Sequence, residues 1–173
     1  MAAKNPWTKY IVLLVIALML LSINFLKNRK YEEKSEPIFT FDKTAVTEIK
    51  VTKDTLSVTL IKEDTSWVFA APDTGEVNQN RTDAFLKNLV AEGELTGYQT
   101  KNPDKYATYG ITDDDATKIQ LKLAGNKMRT VFVSRSKSNW AHDYIRYPDD
   151  PKVYITDKKI MYYFSERASF WRK

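Results

Sequence analysis

An unbroken apolar run, Tyr10-Ile-Val-Leu-Leu-Val-Ile-Ala-Leu-Met-Leu-Leu-Ser-Ile-Asn-Phe-Leu26, constrains this chain more than any other feature. It contains no charged side chain; Trp7 precedes it, and Lys27, Arg29 and Lys30 follow. Lipid offers the backbone no hydrogen-bond partners, so a single apolar segment satisfies its peptide groups only as a helix. At about 1.5 Å per residue, Trp7 to Leu26 covers roughly 30 Å, one hydrocarbon thickness. The expected organisation is an N-terminal flank (1–9), a transmembrane helix (10–26), a polar linker (27–36) and a soluble domain (37–173).

The first ten residues resemble the n-region of a signal sequence. The run is longer than most signal h-regions and no small-x-small cleavage site follows it, so a retained signal anchor is expected. Lys4 and Lys9 stand on one side, and Lys27, Arg29, Lys30 and Lys34 on the other. The positive-inside count slightly favours a cytoplasmic C-terminal domain. A short N-terminal anchor, however, usually translocates a large domain that follows it, so a cytoplasmic N-terminus and a periplasmic domain are expected.

Charge narrows the function classes. The chain has 27 Lys plus Arg against 22 Asp plus Glu. Residues 1–30 hold five basic and no acidic side chains, which leaves 22 of each in residues 31–173. A neutral domain lacks the electrostatic basis for nucleic-acid binding. The absence of cysteine removes disulfides, thiolate metal sites and cysteine nucleophiles.

Beyond Pro37, alternation marks half-buried strands at Ile49–Val51 and Leu56–Leu60, with a turn at Lys53-Asp54, and a third strand at Ser66–Ala70 that ends before Pro72. Asn78 is placed to cap a helix running to Ala91, because Phe85, Leu86, Leu89 and Val90 share one face and Gly93 follows. A strand over Leu95–Thr100 and a helical turn at Pro103 come next. Thr117–Leu123 and Met128–Ser134 read as a hairpin about Ala124–Lys127. Strands at Tyr144–Tyr147 and Val153–Ile155 precede a closing helix, capped by Thr156 or Asp157 and running through Phe164. The expected class is α+β: a transmembrane helix, then a mostly antiparallel β domain with two main helices, in which similar spacing before Trp67 and Trp140 suggests a duplicated βββα unit.

Ser66-Trp67-Val-Phe, Pro72, the Asn78–Leu89 helix, Tyr109-Gly110-Ile111, the Lys118–Val133 hairpin, Tyr144-Ile145-Arg146 and the closing Trp171-Arg172 together resemble the bacterial domain-of-unknown-function family 4340 over residues 46–172. Ile111 stands where that pattern usually has Leu. The resemblance implies a membrane-anchored extracytoplasmic protein of the bacterial inner membrane, of a kind often associated with gliding-type ABC exporters. It brings no catalytic residues with it.

No catalytic residue, metal site or cofactor is expected from the residues themselves. His142 is the only histidine and sits in a polar loop, where a solvated side chain is the preferred reading. Asp113-Asp-Asp115 and Asp149-Asp150 suit turns and helix starts better than a cation site, since no calcium-loop spacing is present. The five glycines form no phosphate-cradling run. Trp67, Trp140, Tyr98, Tyr106 and Tyr109 are core candidates, with an aromatic ligand groove as the alternative. In the tail, Tyr162, Phe164, Phe170 and Trp171 with Arg167 and Arg172 have the composition of an interface, with packing on the domain's own sheet as the alternative. Within the apolar run, Ala17, Leu20, Leu21 and Asn24 share a helix face suited to a neighbouring helix, Asn24 contributing one hydrogen bond.

The expected function is therefore a non-catalytic, single-pass accessory subunit. It would dock on and stabilise a larger integral membrane complex, an ABC-type exporter or an energy-transducing photosynthetic or respiratory assembly. Its partners would be that complex and the bilayer, with no nucleic acid and no identified small-molecule substrate. The alternative is a periplasmic module that binds a glycan or lipid.

Overall fold

A computed structural model describes residues 7–30, 35–137 and 140–173. The chain divides into two compact units, Met1–Lys34 and Ser35–Lys173. The first contains α1 (Trp7–Lys30), a helix of 24 residues. No Gly or Pro interrupts it, and its Leu, Met and Ala content favours helix. Every side chain from Tyr10 to Ser22 is exposed. The Ser22 hydroxyl donates to the Leu18 carbonyl at 2.8 Å, which satisfies it within the helix. Among the described residues no helix is long and apolar enough to cross a membrane. The described side chains of α1 stop at Ser22, before the apolar run ends at Leu26. The expected helix is present, while its expected membrane crossing is not supported by the described residues.

The second unit is α+β. Its strands are β1 (Glu36–Pro37), β2 (Val46–Lys53), β3 (Leu56–Glu63), β4 (Ser66–Phe69), β5 (Glu94–Thr100), β6 (Thr117–Leu123), β7 (Met128–Arg135), β8 (Asp143–Arg146) and β9 (Val153–Thr156). Its helices are α2 (Gln79–Phe85), α3 (Tyr106–Tyr109) and α4 (Ala168–Trp171), and α2 runs on into a π-helical stretch, Leu86–Ala91. The nine strands form one antiparallel sheet in the order β1-β5-β9-β8-β7-β6-β2-β3-β4. Within it the long pairing of β2 with β6 sets Ile49 opposite Leu121 and Val51 opposite Ile119. On either side lies a three-strand meander, β2-β3-β4 and β6-β7-β8. The duplicated βββα unit expected from the sequence does not form: Trp67 lies within β4 whereas Trp140 precedes β8, and a helix follows β4 whereas the strand β9 follows β8.

The turns follow local chemistry. The β2–β3 loop is Asp54-Thr55, one residue later than Lys53-Asp54, with Asp54 at φ 51°. The β6–β7 turn sets Gly125 and Asn126 at φ 79° and 61°, values that glycine and asparagine tolerate best. Asn78 accepts from the Arg81 N–H as the N-cap of α2. Phe85, Leu86, Leu89 and Val90 then bury against the sheet face carrying Ile49, Val58, Leu60, Leu121 and Val131. Gly93 closes this segment for a steric reason: a Cβ there would lie 2.6 Å from the Leu89 carbonyl oxygen and 2.9 Å from that of Asn88.

The closing helix expected over residues 157–164 does not form. A 3₁₀ turn, Met161–Tyr163, stands there instead, followed by α4. Thr156 stays in β9, where its hydroxyl accepts from the Asp143 N–H at 2.8 Å and donates to the Lys158 carbonyl at 2.7 Å. The would-be cap is thus spent on the sheet. The tail then buries Ile160, Phe164 and Trp171 in the main core. Phe85 meets Phe164 and Trp171 edge-on, with ring centroids at 6.1 and 5.6 Å, and the Trp171 indole N–H donates to the Ser165 carbonyl at 2.7 Å.

Trp171→Ala should destabilise the full chain by about 3–5 kcal/mol, the usual cost of a large cavity. Tyr162→Ala, at a residue 63 % exposed, should change little. Urea denaturation read by far-UV circular dichroism distinguishes the two; similar small losses would mean that the tail does not complete the core.

Candidate functional site

The residues expected to meet a partner fall into two groups. On α1, Ala17, Leu20 and Leu21 are exposed, and the Asn24 side chain lies outside the described residues. In the tail, Trp171 is 0 % and Phe164 4 % exposed, so both belong to the domain's own core and neither is open to a partner. Phe170 is half-buried, with the Arg81 guanidinium 4.7 Å from its ring centroid. Arg172 lies over Phe69 and donates to the Thr74 carbonyl at 2.9 Å, tying the C-terminus to the loop after β4. Tyr162 and Arg167 remain exposed. The aromatic excess of the tail is thus mostly core completion, because a short 3₁₀ turn and one helical turn cover the sheet where a full helix was expected.

The expected aromatic groove does not assemble as one surface. Trp67 is buried in the main core, and its backbone N–H and C=O both bond the Gln79 side-chain amide at 2.9 Å, which occupies the edge of β4. Tyr106 and Tyr109 pack on a second cluster, Ile111, Ala116, Phe132, Tyr144 and Val153. The buried Arg146 belongs to that layer, with its guanidinium 4.1 Å from the Phe132 ring centroid and 4.8 Å from that of Tyr106. It donates to the Ile111 carbonyl at 3.1 Å and pairs with Asp113. The acidic runs are likewise occupied locally. Asp115 accepts from the Thr112 hydroxyl at 2.7 Å, and Asp150 accepts from Tyr154 Oη at 2.6 Å and the Lys152 N–H at 2.9 Å. Among the described residues no group of three His, Asp or Glu side chains is placed to hold a metal ion.

Trp140 is different: it is 76 % exposed. It borders a cleft of about 830 Å³ at the end of the sheet where β2 and β7 finish, beside the Gly110 end of α3 and Met161. Lys53, Arg135 and Lys137 line this cleft, with Asp115 as the acidic side chain on its wall. Lys159 Nζ lies 4.8 Å from the Trp140 ring centroid and 5.4 Å from that of Tyr162, so one ammonium bridges two exposed aromatic rings. Neither the cluster nor the cleft is legible in the sequence, because its members come from β2, β7 and the segments around residues 140 and 160. The one sequence signal is Trp140 itself, a large aromatic in a polar loop.

Near this cleft lies a group that sequence reasoning missed. Asp143 is fully buried; its Oδ2 accepts from the Met161 N–H at 2.9 Å, and among the described residues its Oδ1 has no hydrogen-bond partner. Burial pushes its carboxyl above the ordinary value of 3.8, against the opposing pull of the N–H groups of Met161 and Ile160 and of the Arg135 and Lys159 charges. His142, next to it, is half-buried.

Comparison of the chain with family models, curated proteins and solved structures gives no match. These comparisons lend the resemblance to family 4340 no support.

A carboxyl whose folded-state pKa is raised favours the folded state when protonated. Its contribution is fully present below the ordinary Asp value and is lost as pH rises from there through the raised value. Asp143→Asn should therefore raise the melting temperature by a few degrees at pH 7, with the gain closing as pH falls below the ordinary Asp range. Asp143→Ala, which removes the acceptor for Met161, should lower it throughout. Calorimetry across that range checks both, and a pH-independent Asn gain would show that ionisation of Asp143 is not its source.

Proposed function

We propose that this chain is a non-catalytic, membrane-tethered accessory subunit: α1 crosses the bilayer once, the domain stands on the periplasmic side of a bacterial inner membrane, and the tether packs against a larger integral membrane complex. The observation that carries this reading is α1 itself. Its described apolar side chains from Tyr10 to Leu21 are exposed on every face. A surface helix of a globular protein has one apolar stripe and one polar face; one that is apolar all round requires apolar surroundings. Ser22, the polar residue that follows this stretch, is bonded back to Leu18, as a hydroxyl in lipid must be. With 24 residues at about 1.5 Å each, α1 exceeds the roughly 30 Å of a hydrocarbon core, and its last turn carries Lys27, Arg29 and Lys30 to the headgroup level.

Contact with a partner helix is assigned to Ala17, Leu20, Leu21 and Asn24. The spacing i, i+3, i+4, i+7 puts them on one face, where a small residue admits close approach and an amide supplies an interhelical hydrogen bond. The partner classes are an ABC-type exporter, as the family resemblance suggests, or an energy-transducing complex.

The wild-type chain should remain in the membrane pellet after alkaline carbonate extraction. Leu14→Arg with Leu18→Arg should release it, since each charge near the bilayer centre costs about 2.5–3.5 kcal/mol on insertion scales. Wild-type protein in the carbonate supernatant would sink the tether. Protease added to sealed spheroplasts should cleave the domain, and protection until lysis would reverse the orientation. Mild-detergent purification through a C-terminal tag should recover an integral membrane partner, with less of it for Asn24→Leu; recovery of a stable monomer alone would refute the accessory role.

A further inference from the structure

We propose that the cleft beside Trp140 binds a saccharide bearing a carboxylate or phosphate group, a role independent of the tether. Three features point to that class. The first is the indole: Trp140 is 76 % exposed, although Trp is a residue type the chain buries at positions 67 and 171. Lys159 lies 4.8 Å from its ring centroid, drawing positive charge to its edge of the cleft while leaving most of the ring surface open. Aromatic faces stack on the C–H faces of sugar rings, and a neighbouring ammonium adds attraction for an acidic substituent.

The second feature is the polarity of the wall. Lys53, Arg135 and Lys137 line the cleft with the carboxylate of Asp115, which already accepts the Thr112 hydroxyl, while the buried Asp143 lies near Arg135. This is a local excess of positive charge in a unit whose totals nearly balance, so it is not a by-product of a basic domain. Arg135 and Lys137 stand two positions apart at and just beyond the end of β7, and Lys53 is contributed by the end of β2. A guanidinium with two ammonium groups suits the oxygens of a carboxylate or phosphate. Ser134 and Ser136, on the same wall, are buried and bonded to the Tyr109 carbonyl and the Tyr144 hydroxyl, so the charged side chains carry the polarity of the wall.

The third is size and shape. About 830 Å³ falls within the roughly 300–1,000 Å³ of small-ligand pockets. A purely apolar ligand is disfavoured by the three cations. A nucleic acid is disfavoured by the nearly neutral domain and because, among the described residues, no row of exposed aromatics lines the cleft for successive bases to stack on. An acidic sugar uses both halves of the site, the ring and the cations.

The test uses the full chain in nanodiscs of phosphatidylcholine, titrated calorimetrically with trigalacturonic acid and with its methyl ester, which keeps the rings and removes the charge. Saturable binding of the acid is expected, with the ester at least about tenfold weaker, and Trp140→Ala and Arg135→Gln/Lys137→Gln should each lose about tenfold. The double variant should also flatten the salt dependence. Unchanged circular dichroism would show that these surface substitutions leave the fold intact. Absence of saturable binding at about 10 mM sugar acid, equal binding of acid and ester, or an unaltered affinity in Trp140→Ala would each overturn the proposal. So would a Trp140-dependent signal that appears only when phosphatidylglycerol is added to the nanodisc, since that would assign the ring and its lysines to the lipid surface.

Discussion

The pairing of β2 with β6 holds the domain together. Val46, Ile49 and Val51 on one strand and Ile119, Leu121 and Leu123 on the other are all buried, and both meanders hang from this seam. At about 1.5–3 kcal/mol per fully buried aliphatic side chain, the seam contributes a gross stabilisation on the order of 10 kcal/mol, comparable to the whole net stability of a domain. It joins residues about 70 positions apart, so its loop-closure entropy must be offset by burial rather than by any local turn. The helix after β4 and the C-terminal tail serve that end by covering the face on which these side chains lie.

That long-range character also divides what the sequence reveals from what it hides. Hairpins are legible because period-two alternation and a short turn sit side by side: Thr117–Leu123, Gly125-Asn126 and Met128–Arg135 leave little choice. The helix beginning at Gln79 is legible because its cap and apolar face lie within a few turns. The antiparallel joining of two meanders is not, since any two alternating strands look equally compatible. Nor is the π-winding of Leu86–Ala91, which departs from the 3.6-residue period without leaving a mark on composition.

The tail shows the same division from the other side. Thr156 and Asp157 look like helix caps when read alone, yet Thr156 is already bonded to Asp143, and Asp143 bonds Met161 in turn. A side-chain contact across 13 positions thus outweighs a local cap, because it resolves buried polar groups whereas a cap at the surface has water as a substitute. The apparent surplus of aromatic residues follows from this. Without a full closing helix the sheet face is sealed by fewer residues, and each must be large, so Phe164 and Trp171 occupy volume that several smaller helical side chains would otherwise fill.

The proposed tether and the proposed ligand cleft place opposite demands on charge. Along α1 the apolar stretch excludes charge and the excess sits at its flanks, where lysine and arginine suit an interface with anionic headgroups. In the second unit the totals nearly cancel, and the arrangement matters more than the sum. Screening over about 8 Å at physiological ionic strength limits what a ligand in the cleft can sense to the side chains around it, so a neutral domain is no obstacle to a locally positive site. Asp143 tempers that site: its buried carboxyl lies close enough to Arg135 and Lys159 for their charges to pull its pKa down, and by reciprocity an ionised Asp143 offsets part of their attraction for an anion. The group that pins the tail under the sheet therefore also lies beside a cation of the cleft wall, Arg135, which brings the completion of the core and the charge of that surface into one neighbourhood.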